Sequence, residues 1–290
     1  MNNSRGFRQI TKSLVPRPVI RTVWNACGDL KDLPKRLFHD LPPQPLRMLH
    51  NSGGGDYHQI GHHIVRKIIK RTGFASHWSV LDIGCGTGRI AGPMISRLDE
   101  RGAYTGFDVS RSAIDWARKY VAPDAANVRF VHADLANQEY NPGSSDPARL
   151  YAFPCTDESV DLGYAVSVFT HLRAPDAQAY LHQSARVLKP GGKLFLTAFL
   201  MTPDALERTQ RHVSAMPFEA IDQVTYSTDP RVPEQAMAFD EQVFLGWVQK
   251  AGFRIVDEIR RGCWSTDRLR GELQDELVLE KRAISEASGA

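Results

Sequence analysis

The segment VLDIGCGTGRI, residues 80–90, carries an aspartate in an apolar run, then three glycines at alternate positions, then a helix-like stretch. Gly84, Gly86 and Gly88 keep side chains out of the space between backbone and a ligand, and the amides of such a turn face a polar or anionic group. Two more acids follow later apolar runs: Asp108 in AYTGFDV (103–109) and Asp134 just after NVRFVHA (127–133). A carboxylate about twenty residues beyond a glycine turn can accept both hydroxyls of a ribose. Asp134 is placed to accept from an adenine amino group. Any one of the three acids could instead cap a helix, but with the glycines they read as a nucleoside site. The spacing is G-x-G-x-G, and Arg89 stands where the dinucleotide fingerprint has its third glycine, which argues against a pyrophosphate ligand.

A candidate proton acceptor follows the next apolar run. His171 lies in SVFTHL, just beyond SVDLGYAV (159–166), and a neutral imidazole can take a proton near pH 7. Packing over the ligand, or a hydrogen bond that holds the loop, explains it equally well. His58 and His62 are four apart on a helical pattern with Asp56 nearby, the spacing of a metal pair, but a surface histidine cluster needs no ion and no metal site is assigned. Asp157 and Glu158 read as turn residues. Trp24, Phe38, Phe218, Tyr226 and Phe239 show no regular stripe; an acceptor pocket and ordinary packing both account for them.

These residues need a scaffold that brings strand ends together. The runs at 79–84, 103–109, 127–133, 159–166 and 193–200 alternate with helical patterns around 89–98, 111–120 and 175–188, and YHQIGHHIVRKIIKRTGF precedes them with apolar residues at helical spacing. Such alternation predicts right-handed βαβ crossovers and a doubly wound, mostly parallel α/β sheet covered on both faces. A helix at about 240–250 and the runs FRIVDEI and DELVLEK complete a seven-stranded set. The expected organisation is a basic arm at 1–58, a ligand-binding core at 59–200, a proline-interrupted, substrate-covering insertion at 201–238, the end of the core at 239–283 and a disordered tail at 284–290.

The combination resembles the class I S-adenosylmethionine-dependent methyltransferases from about residue 60 to residue 200. VLDIGCGTGRI is similar to their cofactor loop, YTGFDVS to the ribose-binding strand end, HADL to the adenine contact, SVDLGYAVSVFTHL to the strand and loop beside the transferred methyl, and RVLKPGGKLFLTAF to the helix, turn and strand that follow. SVFTHL and the NPG at 141–143 resemble, more distantly, bacterial members of unassigned acceptor. The resemblance implies a Rossmann-like fold with a terminal antiparallel strand and S-adenosylmethionine as cofactor. It also implies cofactor contacts at Asp82, Gly84, Cys85, Gly86, Gly88, Asp108, Val109, Asp134, Leu135 and Val166, with the backbone of Ser167. Asp82 would orient the methionine amino group.

Composition bounds the partners. A chain of 290 residues, 42% hydrophobic, can bury one full core. No run approaches the roughly 18 apolar residues of a membrane span, nor does the start carry a signal-peptide stretch, so a cytoplasmic protein is expected. Cys27, Cys85, Cys155 and Cys263 are far apart and form no C-x-x-C pair. Residues 1–36 hold eight Lys and Arg against two aspartates, an arm suited to a peripheral membrane surface or another anionic partner, or simply to water. The favoured reading is O-methylation of a small-molecule, glycan or lipid-like acceptor. RNA is second, because no RNA-binding module or Asn/Asp-Pro-Pro-Tyr/Phe motif is seen; a non-catalytic cofactor-binding or regulatory protein is third.

Overall fold

The computed structural model describes residues 41–43, 46–47, 56–137, 140–267 and 270–283. The chain divides into two compact units, residues 1–57 and 58–290. Most of the basic arm, with Trp24 and Phe38, and the tail at 284–290 lie outside the described residues.

In the second unit seven strands form one sheet: β1 (Ser79–Ile83), β2 (Ala103–Asp108), β3 (Val128–His132), β4 (Val160–Ala165), β5 (Leu188–Ala198), β10 (Phe253–Ile255) and β11 (Asp275–Lys281), in the order β10-β11-β5-β4-β1-β2-β3. The five strands β1 to β5 pair in parallel, and β11 runs antiparallel to both β5 and β10. Because side chains alternate across a strand, each strand feeds two cores. Leu81, Ile83, Phe107, Leu194, Leu196 and Leu277 pack on the side of α4 (Ala174–Val187) and α6 (Glu241–Lys250). Val80, Tyr104, Tyr164, Phe195 and Val278 face α1 (Tyr57–Thr72), α2 (Ala91–Ile95) and α3 (Arg111–Tyr120). This is the doubly wound arrangement that the alternating pattern predicts.

Local chemistry sets the element ends. Ser110 caps α3 by accepting from the amide of Ala113, and Asp240 caps α6 by accepting from Val243. Gly252, at φ +91°, ends α6 in a backbone conformation that other residues rarely adopt. Helix α2 is shorter than its sequence pattern: it occupies Ala91–Ile95 rather than 89–98, with Gly92 and Pro93 inside it. The cation Arg71, at the end of α1, is buried, and is satisfied by Asp257 at 2.7 Å, Glu276 at 3.2 Å and the carbonyl oxygen of Glu258 at 2.8 Å. A buried charge persists only when so paired, so this cluster ties α1 to the last strands of the sheet.

The segment after β5 has structure that its weak periodicity hides. β6 (Leu200–Met201), α5 (Pro203–Gln210), β7 (Glu219–Ala220), β8 (Thr225–Ser227) and β9 (Met237–Asp240) form a four-stranded sheet in the order β6-β9-β8-β7, with α5 beside it. Phe199 and Phe218, tilted against each other, each meet Trp264 edge to face in its core. The carboxylate of Asp275, at the start of β11, accepts from the amides of Leu200 and Gly262 and from the Trp264 indole, all at 2.9 Å, and so joins the small sheet to the large one. Phe239 belongs to the main core with Phe244 and Trp247, and Tyr226 is buried in the small one; both, with Phe218, are packing residues.

α1 approaches the glycine turn so closely that a β-carbon on Gly61 would lie 2.1 Å from the carbonyl oxygen of Arg89. Backbone cannot yield as a flexible side chain does, so Gly61→Ala is expected to cost about 1–3 kcal/mol by overpacking. Urea unfolding measures it; unchanged stability would contradict the close approach.

Candidate functional site

The residues singled out in the sequence converge on the edge where the parallel strands end, which is where open α/β sheets bind ligands. The glycine turn follows β1, with Gly84, Gly86 and Gly88 at φ +73°, +52° and +85°. In this left-handed region only glycine is at ease. At Gly84 a β-carbon would also lie 2.5 Å from the Val168 side chain, and at Gly88 2.6 Å from that of Val121. The amides of Gly84 and Cys85 both donate to the carbonyl oxygen of Phe107 on β2, which locks the turn to its neighbour.

Asp108 ends β2. One carboxylate oxygen accepts from the amide of Gly86 and the other from the amide of Ser110, each at 2.8 Å. Each oxygen keeps a second lone pair, so two hydroxyls can still be accepted. Val109 and Leu135 follow the ends of β2 and β3; Leu135 is buried and Val109 half-buried. Asp134 is exposed and accepts from the Asn141 side-chain amide at 2.9 Å through one oxygen.

Asp82 sits beneath the turn, 1% exposed, and accepts from the hydroxyls of Tyr104 at 2.6 Å and Tyr164 at 3.0 Å. Sheet register explains the meeting: Asp82 pairs with Gly106 on β2 and Tyr164 on β4, and Tyr104 is two residues before Gly106 on the same face. Burial pushes the Asp82 carboxyl up to about 7, against the two hydroxyls, which favour its ionised form. Burial, with Asp82 and Asp108 nearby, also drives the Cys85 thiol well above its ordinary range, so Cys85 fills space as a neutral thiol. Asp82 therefore lies beneath the turn with little open surface of its own, its carboxyl shared by the two tyrosine hydroxyls.

Beyond β4, Val166 is half-buried and Ser167 adopts φ +59°, a strained value for a residue with a side chain. The Ser167 amide donates to Thr197 Oγ1 at 2.8 Å, and Gln274 Oε1 accepts from the hydroxyls of both Ser167 and Thr197. His171 closes a single 3-10 turn, Phe169–His171, anchored by the buried Phe169 ring against Phe244. His171 Nδ1 lies 2.8 Å from the carbonyl oxygen of Glu234. A carbonyl only accepts, so Nδ1 carries the hydrogen and Nε2 presents a lone pair. That lone pair faces the Tyr140 hydroxyl at 3.3 Å, and the two rings meet edge to face. Glu234 comes from the segment after β5, and its carboxylate accepts from Arg173 at 3.0 Å. Tyr140, Glu234, Thr197, Gln274 and the two tyrosines on Asp82 are neighbours that sequence spacing alone does not reveal.

The remaining candidates lie elsewhere. Asp157 and Glu158 stand before β4, at the opposite edge, where they bind Arg186 and Lys281. Among the described residues no group of His, Cys, Asp and Glu is placed to hold a metal ion, and no helix is long and apolar enough to cross a membrane.

The raised Asp82 carboxyl has a consequence for stability. Its folded value is above the unfolded one, so its contribution is complete below about pH 4, falls as pH rises and is lost above pH 7. Asp82→Asn keeps the shape without the charge. Relative to the parent protein, its unfolding free energy should rise by about 3 kcal/mol between pH 5 and pH 8; parallel urea-denaturation curves at the two pH values would contradict this.

Comparison with known proteins identifies the domain. Residues 80–192 match the family model of the methyltransferase domain. The tRNA N(3)-cytidine methyltransferase METTL2 of Gallus gallus is 27% identical over 174 residues, 59% of this chain and 39% of that protein. The 27-O-demethylrifamycin SV methyltransferase of Amycolatopsis mediterranei is 33% identical over 126 residues, 43% of this chain and 39% of that protein. The chain thus spans about two fifths of the length of these curated relatives. Among solved structures, a SAM-dependent methyltransferase from Methanosarcina mazei shares the fold at a TM-score of 0.51 and 19% identity, covering 74% of this chain and 97% of that one. Residues 80–192 thus carry a methyltransferase domain, and the fold around it is that of the S-adenosylmethionine-dependent methyltransferases.

Proposed function

We propose that this protein transfers a methyl group from S-adenosylmethionine to a hydroxyl oxygen of a small, glycan-like or lipid-like molecule. The observation that carries the proposal is the His171 imidazole beyond β4, its Nδ1 hydrogen held by the Glu234 carbonyl and its Nε2 turned to the Tyr140 hydroxyl. The match to the rifamycin-type methyltransferase supports a small acceptor.

The cofactor, when bound, supplies a methyl group on a positively charged sulfur. Gly84, Gly86 and Gly88 would border its methionine part, with Cys85 packing the turn and Asp82, held by Tyr104 and Tyr164, supporting it from below and orienting the amino group. Asp108 would accept the ribose hydroxyls, Val109 and Leu135 flank the adenine, and Asp134 accept its amino group. The Ser167 amide already serves Thr197, so the contribution of the segment around Val166 falls to its carbonyl oxygens, which suits an ammonium. Alignment and water exclusion carry most of an in-line methyl transfer. A hydroxyl acceptor must also lose its proton, and His171 Nε2 would take it, directly or through Tyr140 as that phenol passes its own proton on. Glu234, at residues 201–238, bonds His171, which supports a substrate-covering role for that segment.

The match to the tRNA methyltransferase favours RNA as a second reading. Methyl-labelled S-adenosylmethionine, incubated with the protein and fractionated cell extract, separates the readings. Label is expected in a small-molecule, glycan or lipid fraction; label confined to RNA establishes the second, and no transfer to any fraction overturns the enzymatic one.

Asp108→Ala should weaken binding of S-adenosylhomocysteine by about 1–3 kcal/mol, as loss of a charge-assisted contact does; equal affinity by calorimetry would remove Asp108 from the site. His171→Gln should lower kcat by about 10²- to 10⁴-fold while leaving that affinity unchanged. A matching loss of affinity would make His171 a packing residue.

A further inference from the structure

A second concave site lies apart from the glycine turn. α1 sends His63, Arg66, Lys67 and Lys70 to one side, spaced three and four apart as one helix face requires. Opposite them stand Arg260, Arg261 and Arg270, on the chain between β10 and β11, and together they line a cleft of about 780 Å³. Six Lys and Arg side chains line it with two glutamates, and Arg261 is paired with Glu241 outside the lining, which leaves an excess of three positive charges.

The two glutamates are already engaged. Glu276, 4% exposed, is paired with Lys67 and Arg71, and Glu272 with Lys67 and His63. Burial raises the Glu272 carboxyl, yet hydrogen bonds from Lys67 and His63 outweigh it and hold the group below its ordinary value. Arg66, Lys70, Arg260 and Arg270 are all exposed; Arg260 acts on the Asp257 carboxylate, and no ion pair is formed by Arg66, Lys70 or Arg270 among the described residues. Arg66 and Lys70 are like charges one helical turn apart, an arrangement that costs stability. Uncompensated cations gathered in a cleft focus potential on an anion.

We propose that this cleft binds a small molecule carrying a phosphate or diphosphate group. Guanidinium groups match phosphate oxygens in pairs. The volume is that of a small-molecule site. Among the described residues that line the cleft none is Phe, Tyr or Trp, the usual stacking surfaces for single-stranded nucleic acid. The site stands independently of the methyl-transfer reading.

Inorganic pyrophosphate titrated into the full chain by calorimetry, at low and at physiological salt, tests the assignment. Pyrophosphate binds the parent protein and loses at least tenfold in affinity in the double variant Arg66→Gln/Arg270→Gln, while Arg97→Gln, on another part of the surface, keeps it. Arg66 and Arg270 are exposed and hold no hydrogen bond or ion pair among the described residues, so thermal melting and S-adenosylhomocysteine affinity remain those of the parent. Absence of pyrophosphate binding overturns the proposal, as does an equal loss in Arg97→Gln. A single-stranded RNA oligonucleotide that binds through the same two arginines more tightly than pyrophosphate assigns the cleft to nucleic acid instead.

Discussion

The Asp108 carboxylate holds two backbone amides that belong to different elements, Gly86 in the turn after β1 and Ser110 at the cap of α3. Much of the candidate site depends on that bridge. It fixes the glycine turn against the neighbouring strand, sets the start of α3, and keeps a carboxylate at the sheet edge with acceptor capacity to spare. Asp82 beneath the turn adds a second acid in the same small volume, and the two tyrosines that donate to it are what make its burial tolerable.

The sheet delivers these groups because its two faces are packed differently. Aromatic and aliphatic side chains fill the side of α4 and α6, with Phe107, Phe153 and Tyr180 in mutual contact. The other face carries the polar members, Asp82, Tyr104, Tyr164 and, at the strand end, Thr197, among apolar neighbours. Functional groups thus ride on strands whose opposite faces are anchored in a dry core, which is how a site keeps its geometry. The small sheet adds a further restraint, since Asp275 couples it to β11 while Glu234 reaches His171.

Much of this was legible in the sequence where the information is local. The strand, turn and helix around the glycines read directly from residues 80–90, and Asp108 follows from position relative to that turn. Apolar spacing alone gives α2 too great a length, because it does not register Gly92 and Pro93. The four-stranded sheet leaves no mark in the sequence pattern because strands of two to four residues are too short to show a period. Partnerships across the fold were out of reach: Glu234 is 63 residues from His171, and Gln274 is 107 from Ser167. The tyrosines on Asp82 became visible only with strand register, which a sequence pattern does not specify.

The central claim is that the glycine turn, the Asp108 strand end and the Asp134 segment make one nucleoside-binding surface. Hydrogen–deuterium exchange with and without S-adenosylhomocysteine tests it directly. The account predicts slowed exchange in peptides covering residues 82–90, 106–110 and 133–137, and little change at 157–162 on the opposite edge. Protection elsewhere with none in those three segments, under conditions where binding is measured independently, would contradict it.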